Sequence, residues 1–190
     1  MQVPVPSPRP LRVAIAGNPN AGKSSIFNAL TGLRQKVGNY PGVTVERKLG
    51  RCQLGEVAAE VIDLPGAYSL TVQSPDEEVA RDVLLGWLSD HEPPPDVVVV
   101  VVDATNLQRN LFLASQIIEL GYPTVIALNM TDLATAQGAE ADPQRLGQLL
   151  GVPVVPTVAS RGEGLEQLKA TVLEARASSV RAPMAPALEA

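Results

Sequence analysis

Gly17-Asn18-Pro19-Asn20-Ala21-Gly22-Lys23-Ser24 is the stretch on which the reading of the fold turns. It fits the pattern G-x-x-x-x-G-K-[ST], and its flanks suit that pattern. Leu11 to Ala16 is an apolar run that reads as a buried strand leading in, and Ser25 to Leu30 reads as a helix leading out. A glycine-rich backbone can curl round a phosphate with its N–H groups turned inward, at the positive end of the helix. Gly17, Asn18, Asn20, Ala21, Gly22, Lys23, Ser24 and Ser25 are therefore candidate phosphate contacts. Lys23 can reach the β- and γ-phosphates, and the Ser24 hydroxyl can ligate Mg²⁺.

Outward from the loop, strand and helix patterns alternate, which predicts an α/β fold with a mainly parallel sheet. Val97 to Val102 is six consecutive valines, suited to a central strand buried on both faces. Val45 to Leu54, the turn at Gly55 and Val57 to Leu64 predict an antiparallel hairpin early in the chain. Helices are expected over Pro75 to Leu88, Leu107 to Leu120, Pro143 to Leu150 (capped by Asp142) and Gly164 to Ala175, with further strands at Thr124 to Leu128 and Val152 to Thr157. The expectation is a six-stranded, mostly parallel sheet with one antiparallel strand and helices on both faces. Phe27, Trp87 and Phe112 are expected in the core.

The composition sets limits. The 190 residues suit one domain, with 45% hydrophobic and 18% charged residues. A net charge of −5 speaks against nucleic acid as a partner. One cysteine, Cys52, allows no internal disulfide and reads as a small apolar strand residue, in a reducing compartment. The one histidine, His91, reads as a solvated loop residue. No run approaches the roughly 18 apolar residues of a membrane span, so no direct membrane insertion of this chain is expected, and the N-terminus lacks the apolar core of a signal peptide. Residues 1–10 read as a flexible lead-in, 11–176 as the folded domain and 177–190 as a flexible tail or linker.

Three further motifs narrow the ligand. Asp63-Leu64-Pro65-Gly66 fits D-x-x-G after a strand; its carboxylate can hold Mg²⁺ through water, and the Gly66 N–H can sense a γ-phosphate. Asn129-Met130-Thr131-Asp132 fits N-x-x-D. The Asp132 carboxylate can accept from guanine N1–H and its exocyclic amine, a pairing adenine cannot offer. Asn129 is expected at the base N7 and at the phosphate loop, and Met130, in place of the usual lysine, predicts looser binding. Val158-Ala159-Ser160 takes the place of an S-A-K loop whose Ala N–H meets guanine O6, with Val158 a departure from it. Between the first helix and the next strand, the segment from Val37 to Glu46 reads as a loop in which Gly42 and Val43 lead to Thr44, a Mg²⁺ ligand only when a γ-phosphate is present.

Four stretches together resemble the N-terminal G domain of the FeoB family of bacterial ferrous iron transporters: Gly17 to Ser24, Val37 to Glu46, Asp63 to Leu70, and Asp103 to Leu111, which reads D-A-T-N-L-Q-R-N-L. The resemblance implies a Ras-like P-loop GTPase fold, GTP or GDP with Mg²⁺ as ligands, and a place at the cytoplasmic face of the bacterial inner membrane. It also implies a helical domain and a permease as partners, and leaves room for a homo-oligomer. K⁺-assisted hydrolysis is implied as well, with Asn20 as a cation ligand whose bound charge would act much as an arginine finger does. Ala67 stands where Ras-like enzymes carry the water-orienting Gln, which predicts slow turnover. Lys23, Asn20, Thr44 and Gly66 are then the expected catalytic set. The alternatives are a soluble GTPase of the ribosome-assembly or tRNA-modification kind, and a module that senses GTP and GDP with negligible hydrolysis.

Overall fold

The computed structural model describes residues 9–32, 35–87 and 93–177. The six valines make up all of β5 (Val97–Asp103) but its last residue, and each is fully buried. Side chains alternate across a strand, so Val98, Val100 and Val102 join one core while Val97, Val99 and Val101 join another on the opposite face. Around β5 lie β1 (Leu11–Gly17), β2 (Gln35–Asn39), β3 (Glu46–Leu54), β4 (Val57–Asp63), β6 (Thr124–Asn129) and β7 (Val154–Pro156), in the order β2-β3-β4-β1-β5-β6-β7. The pairs β4–β1, β1–β5, β5–β6 and β6–β7 are parallel. Only β3 runs against the rest, paired to β2 and β4.

Helices cover both faces. Ile26, Phe27 and Leu30 of α1 (Lys23–Thr31) and Leu168, Val172 and Ala175 of α6 (Leu165–Ala177) pack on the odd valines. The even valines carry α2 (Pro75–Leu85) and α3 (Leu107–Glu119) through Val79, Val83, Leu84, Leu113 and Ile117, while α4 (Thr131–Ala136) and α5 (Pro143–Leu150) flank them. Two helix starts follow the expected chemistry. Ser74 Oγ accepts from the Glu77 N–H ahead of Pro75, and an Asp142 carboxylate oxygen accepts from the N–H groups of Gln144 and Arg145 ahead of Pro143.

The sheet has seven strands among the described residues rather than six. The addition is β2, paired from Gln35↔Gly50 to Asn39↔Glu46, so Val37, Gly38 and Asn39 lie in a strand and not in a loop. All five β2 residues are exposed. With no buried face the segment has no reason to alternate apolar and polar residues, so periodicity could not reveal it. Two aromatic assignments are corrected too: Trp87 is 62% exposed and Phe112 57% exposed, while Phe27 is buried. The buried stripe of α3 runs Asn110, Leu113, Ala114, Ile117, which leaves Phe112 on the outer side. Trp87 follows Gly86, where the chain turns off α2 at φ 70°, and stacks on the Arg81 guanidinium at 5.5 Å. The helix expected to end at Leu88 ends at Leu85. His91, residues 1–8 of the lead-in and 178–190 of the tail lie outside the described residues; Arg9 pairs with Asp96 at 2.6 Å.

Strand order reverses at β1, whose neighbours are β4 on one side and β5 on the other. In parallel sheets, ligands bind in the crevice beyond the carboxyl ends of the strands at such a reversal. Gly17, Asp63, Asp103 and Asn129 are the last residues of β1, β4, β5 and β6. The topology thus brings the phosphate loop, D-x-x-G and N-x-x-D to one edge.

Candidate functional site

The phosphate loop leaves β1 at Gly17 and enters α1 at Gly22 with no side-chain cap, so its N–H groups are not taken by a capping oxygen. Gly22 has φ 94°, and a Cβ there would fall 2.2 Å from Asn129 Nδ2, so only glycine fits. Asn20 also has positive φ, at 65°, in the left-handed region that Asn tolerates better than most residues. The Asn18 side chain is buried; its Nδ2 donates to the Arg109 carbonyl at 3.3 Å, while its Oδ1 has no partner among the described residues.

Beside the loop, Ser24 Oγ donates to Asp63 Oδ2 at 3.4 Å, and Asp63 Oδ1 is buried without a partner among the described residues. Burial pushes the Asp63 carboxyl above the ordinary carboxylate range, against the opposing charges of Lys23 and Lys48. Burial likewise lowers the Lys23 ammonium; Asp63 opposes that fall, and Lys48 adds to it. An orphaned carboxylate oxygen, a buried ammonium and an uncapped helix start form a cradle whose groups fit an anion with a hard cation beside it. Ser24 and Asp63 supply the oxygen ligands that Mg²⁺ prefers.

The Asp63–Gly66 turn packs onto this loop. Leu64 N–H donates to the Ile15 carbonyl at 2.9 Å and Ala67 N–H to the Gly17 carbonyl at 3.3 Å. A Cβ on Gly66 would meet Pro19 at 3.0 Å. Ala67 is buried, so its methyl faces the protein and offers no polar group to water. Gly42, Val43 and Thr44 lie apart from this cluster. All three are exposed, in the turn between β2 and β3, and line an open hollow with Asn39, Tyr40 and Pro75. Among the described residues no hydrogen bond joins Thr44 to Ser24 or Asp63, and Thr44 lies ahead of β3, which begins at Glu46.

At the other end Asn129 ties three segments together. Its Nδ2 donates to the Ala21 carbonyl at 3.1 Å, and its Oδ1 accepts from Ala159 N–H at 3.1 Å and Thr157 Oγ at 3.3 Å. The N–H expected to meet a base oxygen is thus held by Asn129. Met130 sits in the left-handed region at φ 61° and opens α4, whose first turn carries Asp132. Val158 is buried, and its N–H and C=O both pair with Glu163, so the departure from Ser is met by backbone pairing and burial. Ser160 is exposed.

Sequence reasoning missed one participant. Arg161, in the turn after Ala159, places Nη2 3.2 Å from Asp132 Oδ2. The two lie 29 positions apart in a stretch with no pattern linking them; only the folding of the loop onto α4 brings them together.

Comparison with known proteins agrees with this layout. Residues 11–172 match the family model described as ferrous iron transport protein B. The chain is 48% identical over 168 residues to an Fe(2+) transport protein A/Fe(2+) transporter FeoB fusion protein of Porphyromonas gingivalis, covering 88% of this chain and 19% of that one. It spans about a fifth of the length of such curated relatives. Among solved structures it resembles a mutant of S. thermophilus NFeoB bound to GDP, at 46% identity and TM-score 0.80 over 90% of this chain and 65% of that one. It also resembles the G domain of T. maritima FeoB, at 42% identity and TM-score 0.79 over 88% and 99% of the two chains. At these identities the Ras-like P-loop GTPase fold is shared. Among the described residues, no helix is long and apolar enough to cross a membrane.

Proposed function

The chain belongs to the ferrous iron transport protein B family, and on that premise we propose that it binds GTP and GDP with Mg²⁺ and hydrolyses GTP slowly, as the regulatory G domain of a ferrous iron transporter. The observation that carries the reading is one sheet edge that brings together Lys23, Ser24 and Asp63 with the Asn129–Asp132 motif, and in this reading the Asp132 carboxylate pairs with guanine. Relatives solved with GDP bound support the nucleotide.

In this reading Ser24 and Asp63, the latter through water, hold Mg²⁺, and Thr44 joins them when a γ-phosphate is present. The metal supplies charge that offsets the negative charge of the transferring phosphoryl group. Lys23 neutralises the β- and γ-phosphates, and Gly66 offers its N–H to the γ-phosphate. Turnover is slow because Ala67 brings no side chain to orient water. The rest of the cradle is Gly17, Asn18, Ala21, Gly22 and Ser25, and the base is met by Asn129, Met130, Asp132 and the Val158–Ser160 loop. Helical and permease segments of a longer transporter, at the cytoplasmic face of the inner membrane, would read the turns around Thr44 and Tyr68, and a homo-oligomer of the whole is compatible with this.

K⁺ would bind at the Asn20 carboxamide. Because Asn20 also serves a positive φ, Asn20→Ala would confuse cation binding with backbone strain, whereas Asn20→Gly keeps the backbone and removes the carboxamide. Phosphate release is expected to be faster in KCl than in NaCl for the wild type and equal in the two salts for Asn20→Gly. Equal rates in both salts for the wild type would remove the K⁺ assignment. Absence of phosphate release under single-turnover conditions would reduce the chain to a nucleotide sensor.

A further inference from the structure

The nucleotide reading leaves Arg161 unexplained. Its guanidinium is 61% exposed, yet it meets the 24%-exposed carboxylate of Asp132, the group that reads the base. The chemistry of this contact is that of the base itself. A guanidinium presents a planar set of N–H donors with no acceptor. The N1–H and exocyclic amine of guanine offer the same carboxylate a similar donor edge. Arg161 is carried by the turn that begins at Ala159, and its own N–H is held by the Val158 carbonyl at 2.9 Å. The side chain that covers Asp132 therefore belongs to the very loop that meets the base. A second carboxylate is at hand for the displaced cation, since Arg161 Nη1 lies 3.9 Å from Glu163 Oε1. Glu163 is itself fixed by its two backbone bonds to Val158.

We propose that Arg161 is an intramolecular stand-in for guanine: in the nucleotide-free protein it occupies the base-reading carboxylate of Asp132 and must swing toward Glu163 before the base can pair. The inference rests on the guanine reading above. Its consequence is a fixed penalty on every nucleotide that uses Asp132. A ligand that must displace a populated internal partner has its apparent affinity reduced by the fraction of protein in which the site is free. For an ion pair this exposed the penalty is about two- to fivefold in Kd. Arg161 thus weakens binding and favours exchange, which is the opposite of what a cation beside a polyanionic ligand would do by simple attraction.

The test is a titration of the 190-residue chain with N-methylanthraniloyl-GDP at fixed Mg²⁺, for wild type, Arg161→Ala and Arg161→Lys. Arg161→Ala is expected to bind about two- to fivefold more tightly, with Arg161→Lys between. A paired measurement removes the partner: Asp132→Asn, probed with XDP, presents an amide donor to the xanthine carbonyl and no carboxylate to Arg161. In that background Arg161→Ala is expected to leave the XDP affinity unchanged, which a general loosening of the loop would not do. Unchanged or weaker GDP binding by Arg161→Ala overturns the inference while leaving the guanine reading intact, and so does an equal gain in the Asp132→Asn background. Failure of the wild type to bind the GDP probe at all overturns the guanine reading and this inference with it.

Discussion

At the phosphate end of the site the protein leaves polar atoms waiting: Asn18 Oδ1 and Asp63 Oδ1 are buried with no partner among the described residues, and Lys23 is held partly out of water. At the end proposed to meet the base, the side chains of Asn129 and Asp132 are already engaged by the protein. Asn129 Oδ1 holds Ala159 N–H and Thr157 Oγ, and Asp132 holds Arg161. A ligand therefore gains interactions outright at one end and exchanges them at the other. Exchange yields little net free energy, whereas satisfying a buried orphan removes a cost of about 1–3 kcal/mol. Affinity should come from the phosphates, and choice and release from the base.

The contrast breaks most easily at Lys23. Lys23→Ala removes a charge-assisted contact of roughly 1.5–3 kcal/mol, so GDP affinity should fall about ten- to a hundredfold. The sign is opposite to that expected for Arg161→Ala, so the two variants bracket the comparison in a single calorimetric titration series. A Lys23→Ala protein that kept wild-type affinity would show that the cradle does not hold phosphate.

Asn129 joins the two ends, and its removal should harm both. Asn129→Ala strips partners from the Ala21 carbonyl and from Ala159 N–H, groups on the two loops that its side chain bridges. About 2 kcal/mol of stability should be lost, which for a chain of this size lowers the melting temperature by about 4–8 °C. GDP affinity should fall as well, because the phosphate loop loses its brace. Melting within a degree of wild type would mean that the two ends are organised independently.

How legible each end was in the sequence follows the same division. Gly17 to Ser24 is contiguous, and its chemistry needs little more than local backbone, so residue types at fixed spacing reveal it. Asp63 and Asn129 were legible because each closes a strand, where a parallel sheet aims side chains at a common edge. The Asp132–Arg161 contact joins two loops by tertiary folding alone. Likewise β2 hid because an exposed edge strand carries no apolar alternation; Phe112 lies on the outer side of α3, which its aromatic identity does not reveal, and Trp87 lies beyond the end of α2, where the chain has turned off at Gly86. Asn129 is expected both at the base N7 and at the phosphate loop; its bond to the Ala21 carbonyl agrees with the second, and its bond to Ala159 N–H adds a tie between the two loops that residue spacing does not reveal.

The smallest effect concerns the cost of keeping the phosphate end ready. Burial raises the Asp63 carboxyl in the folded, nucleotide-free protein. A raised value means that folding favours the protonated form. The stabilising contribution is then complete below the ordinary carboxylate range and is lost as pH climbs through the raised value. Asp63→Asn is neutral throughout, and its carbonyl oxygen can still accept from Ser24. The melting temperature of Asp63→Asn minus that of wild type should therefore grow more positive from about pH 4 to about pH 7, the window above the unperturbed carboxylate. Adding Mg²⁺ and GDP should reverse the order, since the ionised carboxylate then gains the cation it is held for and the amide does not. A difference that stays flat with pH in the nucleotide-free protein would mean that the carboxylate carries no burial cost, and the phosphate end would no longer be the one kept unsatisfied for its ligand.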